Sequence, residues 1–248
     1  MTAPRPAPGS LDEPGAAASP LPPGLYVVGT PIGNLEDITL RALRVLAGAH
    51  HILAEDTRHT RRLLQRHGLR TPMISYHKFN ERARRDEILG RIRAGEALAL
   101  VTDAGMPGLA DPGARAVAAC REAGLPVTVI PGPSALTAAI ALAGLVEHTA
   151  FHFEGFLDSR TAARRRRLRE LAGFPSPVVF YESPHRIVKL LDEIAEELAP
   201  ARRLVIAREL TKKFEEILTG VASELQAHFA ARPPRGEFVV ILLPAVAD

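Results

Sequence analysis

The sequence predicts an α/β protein made of two α/β domains, an N-terminal one with a parallel five-stranded sheet and a C-terminal one with a mixed sheet. Between residues 25 and 145, short apolar runs alternate five times with segments of helical periodicity. Such alternation predicts a parallel sheet with helices on both faces. Around residues 204–219, two strand-like runs follow each other after only a short connection, which favours antiparallel or mixed pairing. Aliphatic side chains dominate, aromatic residues make up 5% and tryptophan is absent, which suits an α/β core.

Each of the five N-terminal units consists of a strand, a loop and a helix. The apolar runs are short and continuous, as expected of strands that are covered on both faces. We place strands at 25–28, 51–54, 73–76, 97–101 and 127–130, and helices at 39–47, 58–67, 82–94, 114–122 and 136–145.

The pattern changes after Gly144, where a second domain begins. We place strands there at 151–156, 177–181, 204–208, 214–219 and 238–243, and helices at 161–172, 187–198 and 221–231. The predicted domains are therefore 24–147 and 148–244. Residues 1–23 contain seven prolines among alanine, glycine and serine, a composition that predicts a disordered extension.

Three loops that follow predicted strands are rich in glycine and proline: 29–34, 101–113 and 131–135. The carboxyl ends of parallel strands meet at one edge of the sheet, where open α/β sheets bind ligands. None of these loops has the Gly-Lys-Ser/Thr of a P-loop or a dinucleotide-binding GxGxxG, and none carries a basic side chain. They suit a zwitterionic, adenosine-like ligand better than a pyrophosphate. An alternative for the loop 101–113 is a tight connection in which Asp111 caps the next helix.

Composition excludes several other classes of protein. The single cysteine, Cys120, rules out a disulfide framework and is expected to be a buried thiol of a helix. No His/Cys cluster has the spacing of a zinc site, so no metal is expected. The longest apolar stretch, 135–146, is too short to span a bilayer, and the N-terminus lacks the apolar core of a signal peptide. We therefore expect a soluble cytoplasmic protein with a mild net charge of +3.

Several motifs, taken in order, resemble one known family. The first is Gly29-Thr30-Pro31-Ile32-Gly33-Asn34 with the strand before it, and the others are 54–60, 80–81, 101–113, 131–135, 153–156, 180–186, 207–212 and 236–237. Together they resemble the tetrapyrrole methylase superfamily of class III S-adenosylmethionine methyltransferases. Within it, the chain is similar to the bacterial 16S ribosomal RNA (cytidine-2′-O)-methyltransferases, the ribosomal small subunit methyltransferase I family. The resemblance covers residues 25–243.

The resemblance implies a tetrapyrrole methylase fold with S-adenosylmethionine in the cleft between the two domains, and a homodimer. It implies methylation of the ribose 2′-hydroxyl of cytidine 1402 of 16S rRNA, in the decoding centre of the small ribosomal subunit. The cofactor contacts that it implies are Thr30, Pro31, Ile32, Gly33, Asp103, Ala104, Gly105, Met106, Pro131, Gly132, Ser134, Ala135, Phe156 and Tyr181. Asp103 would attract the positive charge of the cofactor or, equally, accept hydrogen bonds from loop amides.

The transfer also calls for a general base, because a ribose hydroxyl is a weak acid. The candidates are Glu182, His185 and Lys212, each just beyond a strand of the second domain. Lys212 would serve as a base only if its pKa were lowered, and would otherwise be a cation beside the forming alkoxide. The structural alternatives are an ion pair of Glu182 with Arg186 and a surface pair of Glu209 with Lys212.

Basic and aromatic side chains are the candidates for RNA contact. The arginine-rich helix carries Arg164, Arg165, Arg166 and Arg167, which would bind phosphates or form a solvated face. Arg61, Arg62, Arg82, Arg84 and Arg85 are weaker candidates. Tyr76, His77 and Phe79 would stack on a splayed-out base, although we expect Phe79 in the core.

Two rival functions remain open at this point. A tetrapyrrole C-methyltransferase shares the fold and cofactor but usually carries Gly-x-Gly-Pro-Gly-Asp in its first loop, unlike 29–34 here. A non-catalytic RNA-binding assembly protein would need no cofactor loops. Many members of the family continue into a helical segment beyond the closing strand, whereas this sequence ends at Asp248, so we expect the assembled subunit rather than naked RNA as the substrate.

Overall fold

The N-terminal half forms a fully parallel sheet, as predicted. In the computed structural model, which describes residues 21–146 and 150–245, the strand order is β3-β2-β4-β1-β5 and every pairing is parallel. The strands are β1 (Gly24–Val28), β2 (His51–Ala54), β3 (Met73–Ser75), β4 (Ala97–Val101) and β5 (Val127–Ile130). The helices are α1 (Leu40–Gly48), α2 (Thr57–Arg66), α3 (Glu81–Arg93), α4 (Ala114–Glu122) and α5 (Ala135–Leu142).

The period of two along each strand divides the core between the two faces of this sheet. Tyr26 and Val28 of β1 point towards the face covered by α1 and α2, and Leu25 and Val27 point towards the face covered by α3 and α4. Leu100 is fully buried, which contributes about 2 kcal/mol relative to an exposed leucine.

The C-terminal half forms the predicted mixed sheet, in the order β6-β7-β10-β8-β9. Its strands are β6 (His152–Phe156), β7 (Val178–Glu182), β8 (Arg203–Arg208), β9 (Glu216–Val221) and β10 (Phe238–Leu242), and its helices are α6 (Thr161–Ala172), α7 (Ile187–Glu197) and α8 (Ala222–Ala231). Only β6 and β7 pair in parallel. The predicted strand at 214–219 lies two residues later, and the predicted helix at 136–145 ends earlier, at Leu142.

The two faces of the C-terminal sheet have different neighbours. Val178 and Phe180 pack against α6, α7 and α8, whereas Val179 points to the other face and joins a cluster with Ile32 and Leu136 of the N-terminal half. The two halves thus share an apolar contact. Most of the predicted disordered extension 1–23, and the predicted domain boundary at 147/148, lie outside the described residues.

Candidate active site

A cleft of about 370 Å³ lies between the two halves, at the carboxyl edge of the parallel sheet. Two of the glycine-rich loops join in its wall through a two-residue bridge. The Thr30 amide donates to the Gly105 carbonyl at 2.9 Å, and the Gly105 amide donates to the Thr30 carbonyl at 3.0 Å. Gly105 has a φ of +76°, a conformation that favours glycine.

The third loop packs against the first through backbone alone. A Cβ atom on Gly132 would lie 2.9 Å from the C, Cα and O atoms of Gly29. One on Gly29 would lie 2.7 Å from the Gly132 Cα and 2.6 Å from the Met106 sulfur. These glycines are therefore required for close contact between the loops, and the three loops form one continuous wall.

The predicted cofactor contacts fall into two groups. Nine line the cleft: Ile32, Asp103, Ala104, Gly105, Met106, Ser134, Ala135, Phe156 and Tyr181. Five do not: Thr30, Pro31, Gly33, Pro131 and Gly132. Thr30 lies behind the wall, where its hydroxyl donates to the Thr102 carbonyl at 3.1 Å. Of the five, Thr30 supports the wall through its bridge to Gly105, and Gly132 supports it through its backbone contact with Gly29.

Asp103 lines the cleft and also holds a neighbouring loop. Its Oδ1 accepts a hydrogen bond from the Asp56 amide at 3.1 Å, and its own amide points to Glu55 Oε2 at 3.5 Å. Glu55 and Asp56 follow β2, so these contacts tie the loops after β2 and β4 together. Burial, followed by the charge of Asp103, raises the pKa of Glu55.

Asp111 does not cap α4, so the alternative considered for the loop 101–113 was wrong. The N-cap is Gly113, which makes no side-chain capping bond, and the Gly113 amide donates to Glu81 at 3.0 Å. Asp111 instead stands exposed at the open side of the cleft. Although the residue is exposed, partial loss of hydration in the cleft and then the charges of Glu55, Asp103 and Glu237 raise the pKa of Asp111 to about 7. Only the tertiary contacts reveal this group, because its local sequence is that of a turn.

Glu182 and Lys212 line the cleft, and the ion pairs proposed for both are present. Glu182 is 2% exposed, accepts the Ser183 amide at 2.7 Å and lies 3.1 Å from Arg186. Burial raises the pKa of Glu182.

Lys212 is fixed as a cation. Its Nζ donates to Glu209 and to Glu237, both at 2.8 Å. Although burial opposes it, these two hydrogen bonds raise the pKa of Lys212. His185, the third candidate, is exposed and does not line the cleft.

The arginines of α6 pair with carboxylates rather than pointing freely into solvent. Arg164 is 2% exposed and forms two bonds to the buried Glu193, of 2.5 and 2.6 Å. Arg165 pairs with Glu196 and Glu197, Arg167 with Glu154 and Glu170, and Arg166, the most exposed of the four, lies 3.9 Å from Glu170. The prediction of RNA contact is thus wrong for Arg164, because a buried, paired guanidinium cannot reach a phosphate.

The aromatic candidates are placed opposite to expectation. Tyr76 is 1% exposed and donates to Glu81, whereas Phe79 is 85% exposed, with the Lys78 ammonium 4.9 Å from its ring centroid. The expectation that Phe79 belongs to the core was wrong. Phe79 lies in the loop between β3 and α3, beyond the end of the strand, and its ring is exposed there.

Cys120 is buried, as predicted.

In residues 21–146 and 150–245, no group of three or more His, Cys, Asp or Glu side chains is arranged to hold a metal ion. Over the same residues, the structure contains no helix with the length and apolar character needed to cross a bilayer.

Comparison with known proteins gives one consistent result. The family model for Tetrapyrrole (Corrin/Porphyrin) Methylases matches residues 24–226. Proteins named ribosomal RNA small subunit methyltransferase I are 44% identical in Synechocystis sp. (90% of this chain, 80% of the relative) and 45% identical in Thermotoga maritima (88% and 97%).

The solved structures show the same fold at lower identity. The methyltransferase CobJ has a TM-score of 0.65 at 22% identity (90% of this chain, 94% of CobJ). A uroporphyrin-III C-methyltransferase from Thermus thermophilus, complexed with S-adenosylhomocysteine, has a TM-score of 0.60 at 20% identity (88% and 96%). With relatives near 45% identity over nine-tenths of its length, the chain belongs to the ribosomal RNA small subunit methyltransferase I family of the tetrapyrrole methylases.

Proposed function

We propose that this protein transfers a methyl group from S-adenosylmethionine to the ribose 2′-hydroxyl of a cytidine in 16S rRNA of the small ribosomal subunit. The observation that carries the proposal is the cleft, in which three backbone-lined loops face a cationic lysine across the two halves. Membership of the rRNA methyltransferase family supports RNA over a porphyrinoid as the substrate, since the uroporphyrin-III C-methyltransferase is only 20% identical to this chain.

The cleft residues fit the cofactor in size, polarity and charge. A volume of about 370 Å³ lies in the usual range for small-molecule sites. Ile32, Met106 and Leu210 give it apolar walls, and the Ser134 hydroxyl, 9% exposed, makes no hydrogen bond to a described residue. Asp103 supplies a negative charge for a cationic ligand. When bound, S-adenosylmethionine supplies a methyl group on a positively charged sulfur, which is a good leaving group.

The second half of the protein provides the groups that face the ribose. Lys212 is held by two carboxylates and stays protonated, so we assign it to stabilise negative charge on the ribose oxygen rather than to remove its proton. Glu182 is buried against Arg186 and orients the loop after β7. Alignment of the reacting atoms supplies much of the rate, because the leaving group is already activated.

Methyl transfer from labelled S-adenosylmethionine tests the proposal. The substrates are small ribosomal subunits from cells that lack this methylation, naked 16S rRNA and a porphyrinoid precursor. We expect label on a cytidine ribose in the subunits, identified by nuclease digestion and mass spectrometry. Label on the porphyrinoid alone would establish the rival C-methyltransferase, and binding of RNA without any transfer would establish a non-catalytic assembly protein.

We also propose a homodimer located in the cytoplasm, where small subunits are found. Val129 of the edge strand β5 and Leu142 of α5 are 55% and 50% exposed, which leaves apolar surface for a second copy. Light scattering after gel filtration is expected to give twice the chain mass of 26.7 kDa. A single-chain mass at micromolar concentration would contradict the dimer.

A further inference from the structure

Helices α2, α3 and α6 of this protein are rich in arginine, and they differ in how many of these charges are paired. On α6, every arginine from 164 to 167 lies within 4.0 Å of a carboxylate. On α2, Arg61, Arg62 and Arg66 are exposed, and none has a carboxylate within that distance among the described residues. Helix α2 therefore carries three exposed arginines that lack a carboxylate partner among the described residues, whereas α3 leaves only Arg82 and Arg93 in this state.

A groove of about 660 Å³ runs beside α2 and extends this basic surface. Arg61, Gln65 and Arg70 line it, and Arg70 is likewise exposed without an ion pair to the described residues. Leu64 and Met73 contribute apolar contact. We call Arg61, Arg62, Arg66 and Arg70 the α2 surface.

The α2 surface leads to the cleft. Helix α2 begins at Thr57, two residues after Glu55, which lines the cleft wall. The exposed ring of Phe79 follows the neighbouring strand β3, and the charge of Lys78 in the same loop acts on Glu55, where it partly opposes the rise in the pKa of that carboxyl. A ligand lying along α2 thus reaches an exposed aromatic ring and then the cleft.

We propose that the sugar–phosphate backbone of the RNA lies along the α2 surface and that Phe79 stacks on a base beside the target nucleotide. Unpaired arginines bind phosphates without reading sequence, and exposed aromatic rings bind unstacked bases. The inference rests on the proposed rRNA substrate and assigns its contact to the N-terminal half instead of α6.

Two variants of equal charge change test the α2 surface. The first is Arg61→Gln/Arg62→Gln/Arg66→Gln. The matched control is Arg160→Gln/Arg166→Gln/Arg169→Gln, which also removes three exposed arginines, one at the N-cap of α6 and two on the helix itself. The measurement is binding of 16S rRNA and small subunits across a salt series, with S-adenosylhomocysteine affinity as a check of the fold. We expect the α2 variant to bind about tenfold or more weakly and to lose about two to three from the slope of log K against log salt.

The α6 control is expected to bind RNA as the wild type does, and Phe79→Ala is expected to raise KM for the subunit, with Phe79→Trp restoring it. Equal losses from the two triple variants would overturn the inference, because binding would then follow net charge alone. The α2 test measures RNA binding, whereas the proposed function is tested by methyl transfer. Failure of the inference can therefore be told apart from failure of the proposed function, which requires that the wild type transfers no methyl group to RNA.

A second inference concerns Asp111, whose carboxylate has no partner in the described part of the chain. Every other acidic side chain of the cleft holds an amide or a cation: Glu55 and Asp103 the neighbouring loop amides, Glu182 the Ser183 amide and Arg186, and Glu237 the Lys212 ammonium. Asp111 also faces Tyr181 of β7, whose pKa it helps to raise. It therefore lies in the part of the loop 101–113 that faces the second half across the cleft.

We propose that Asp111 is the general base of the transfer. The O–H bond of the ribose hydroxyl breaks and its proton passes to the Asp111 carboxylate. The electron pair left on oxygen forms the bond to the methyl carbon, as the carbon–sulfur pair returns to sulfur. Protonated Asp111 then loses its proton to water. The pKa of Asp111, raised to about 7, suits this role, because a general base is most effective when its pKa lies near the working pH.

Asp111→Asn tests the role, with Asp86→Asn on the exposed face of α3 as its control. We expect kcat to fall about 10²- to 10⁴-fold with little change in cofactor or RNA affinity, and the acid limb of the wild-type pH profile near 7 to disappear. In the ligand-free protein, the melting temperature of the variant is expected to rise relative to the wild type as the pH increases from about 4 to about 7, because ionised Asp111 loses hydration and is repelled by Glu55, Asp103 and Glu237. The positively charged Lys212 also faces this cleft, but because it is present in both the wild type and the variant, its effect cancels in the comparison.

Two results would overturn the assignment. One is an Asp111→Asn enzyme that keeps at least half of the wild-type kcat with the same pH profile. The other is a loss of S-adenosylhomocysteine affinity by tenfold or so, which would make Asp111 a cofactor ligand. The inference rests on the proposed function, and methylation by the wild type distinguishes failure of one from failure of the other.

Discussion

Gly132→Ala is expected to abolish detectable cofactor binding and to destabilise the protein by about 2 kcal/mol or more. The added Cβ would lie 2.9 Å from three backbone atoms of Gly29, and backbone cannot move aside as a flexible side chain does. The loops after β1 and β5 must separate, and the bridge between Thr30 and Gly105 is attached to the first of them. Calorimetry with S-adenosylhomocysteine and urea denaturation measure the two effects.

Gly90→Ala is the matched control for this substitution. Gly90 lies inside α3 with no atom within 4 Å of an added Cβ, so alanine there is expected to stabilise the protein by about 0.5–1 kcal/mol and leave binding unchanged. Wild-type affinity in Gly132→Ala would show that contact between the loops is not needed for the cofactor wall.

Arg164→Met is expected to lower the free energy of unfolding by about 3–5 kcal/mol. The arginine and Glu193 are 2% and 1% exposed, and removal of one charge leaves the other buried without its partner. The Arg164 guanidinium also donates to the Asp158 and Ser159 carbonyls, at 3.0 and 3.1 Å, so those acceptors lose a donor as well. Denaturation with urea at neutral pH provides the measurement.

The double variant Arg164→Met/Glu193→Leu separates charge burial from packing. We expect it to recover most of the lost stability, since replacing both members of a buried pair by apolar groups is often neutral. Arg166→Met, on the same helix but exposed, is expected to change stability by less than about 0.5 kcal/mol. A loss in Arg166→Met as large as that in Arg164→Met would contradict the buried pair as the cause.

Much of the fold can be predicted from local sequence. The five apolar runs of the N-terminal half and the helices between them predict the parallel sheet, and the close strands around β8 and β9 predict the mixed one. The meeting of the glycine-rich loops follows from parallel strands ending at one edge. The positions of these loops were predictable because glycine and proline follow the strands directly in sequence, whereas the contacts between the loops join residues far apart, such as Thr30 and Gly105.

The functional side chains were less predictable. Arg164 and Glu193 are 29 residues apart, so a run of arginines that reads as a basic surface becomes part of a packed pair of helices. Phe79, expected inside, lies outside because β3 ends before it, and Tyr76 fills the interior instead. A pattern of charge or apolarity identifies candidates, but the partner of each lies on another element.

The sequence by itself determined the two-sheet architecture, the family and the three loops of the cleft, since these depend on periodicity and on glycine and proline at strand ends. Only the tertiary structure decided the roles of individual charges. It pairs the α6 arginines, leaves those of α2 exposed, protonates Lys212 through two carboxylates and places Asp111 against three others. The physical reason is that the pKa of a group depends on its distance to other charges and on its own hydration. Both quantities are set by contacts between residues far apart in the chain.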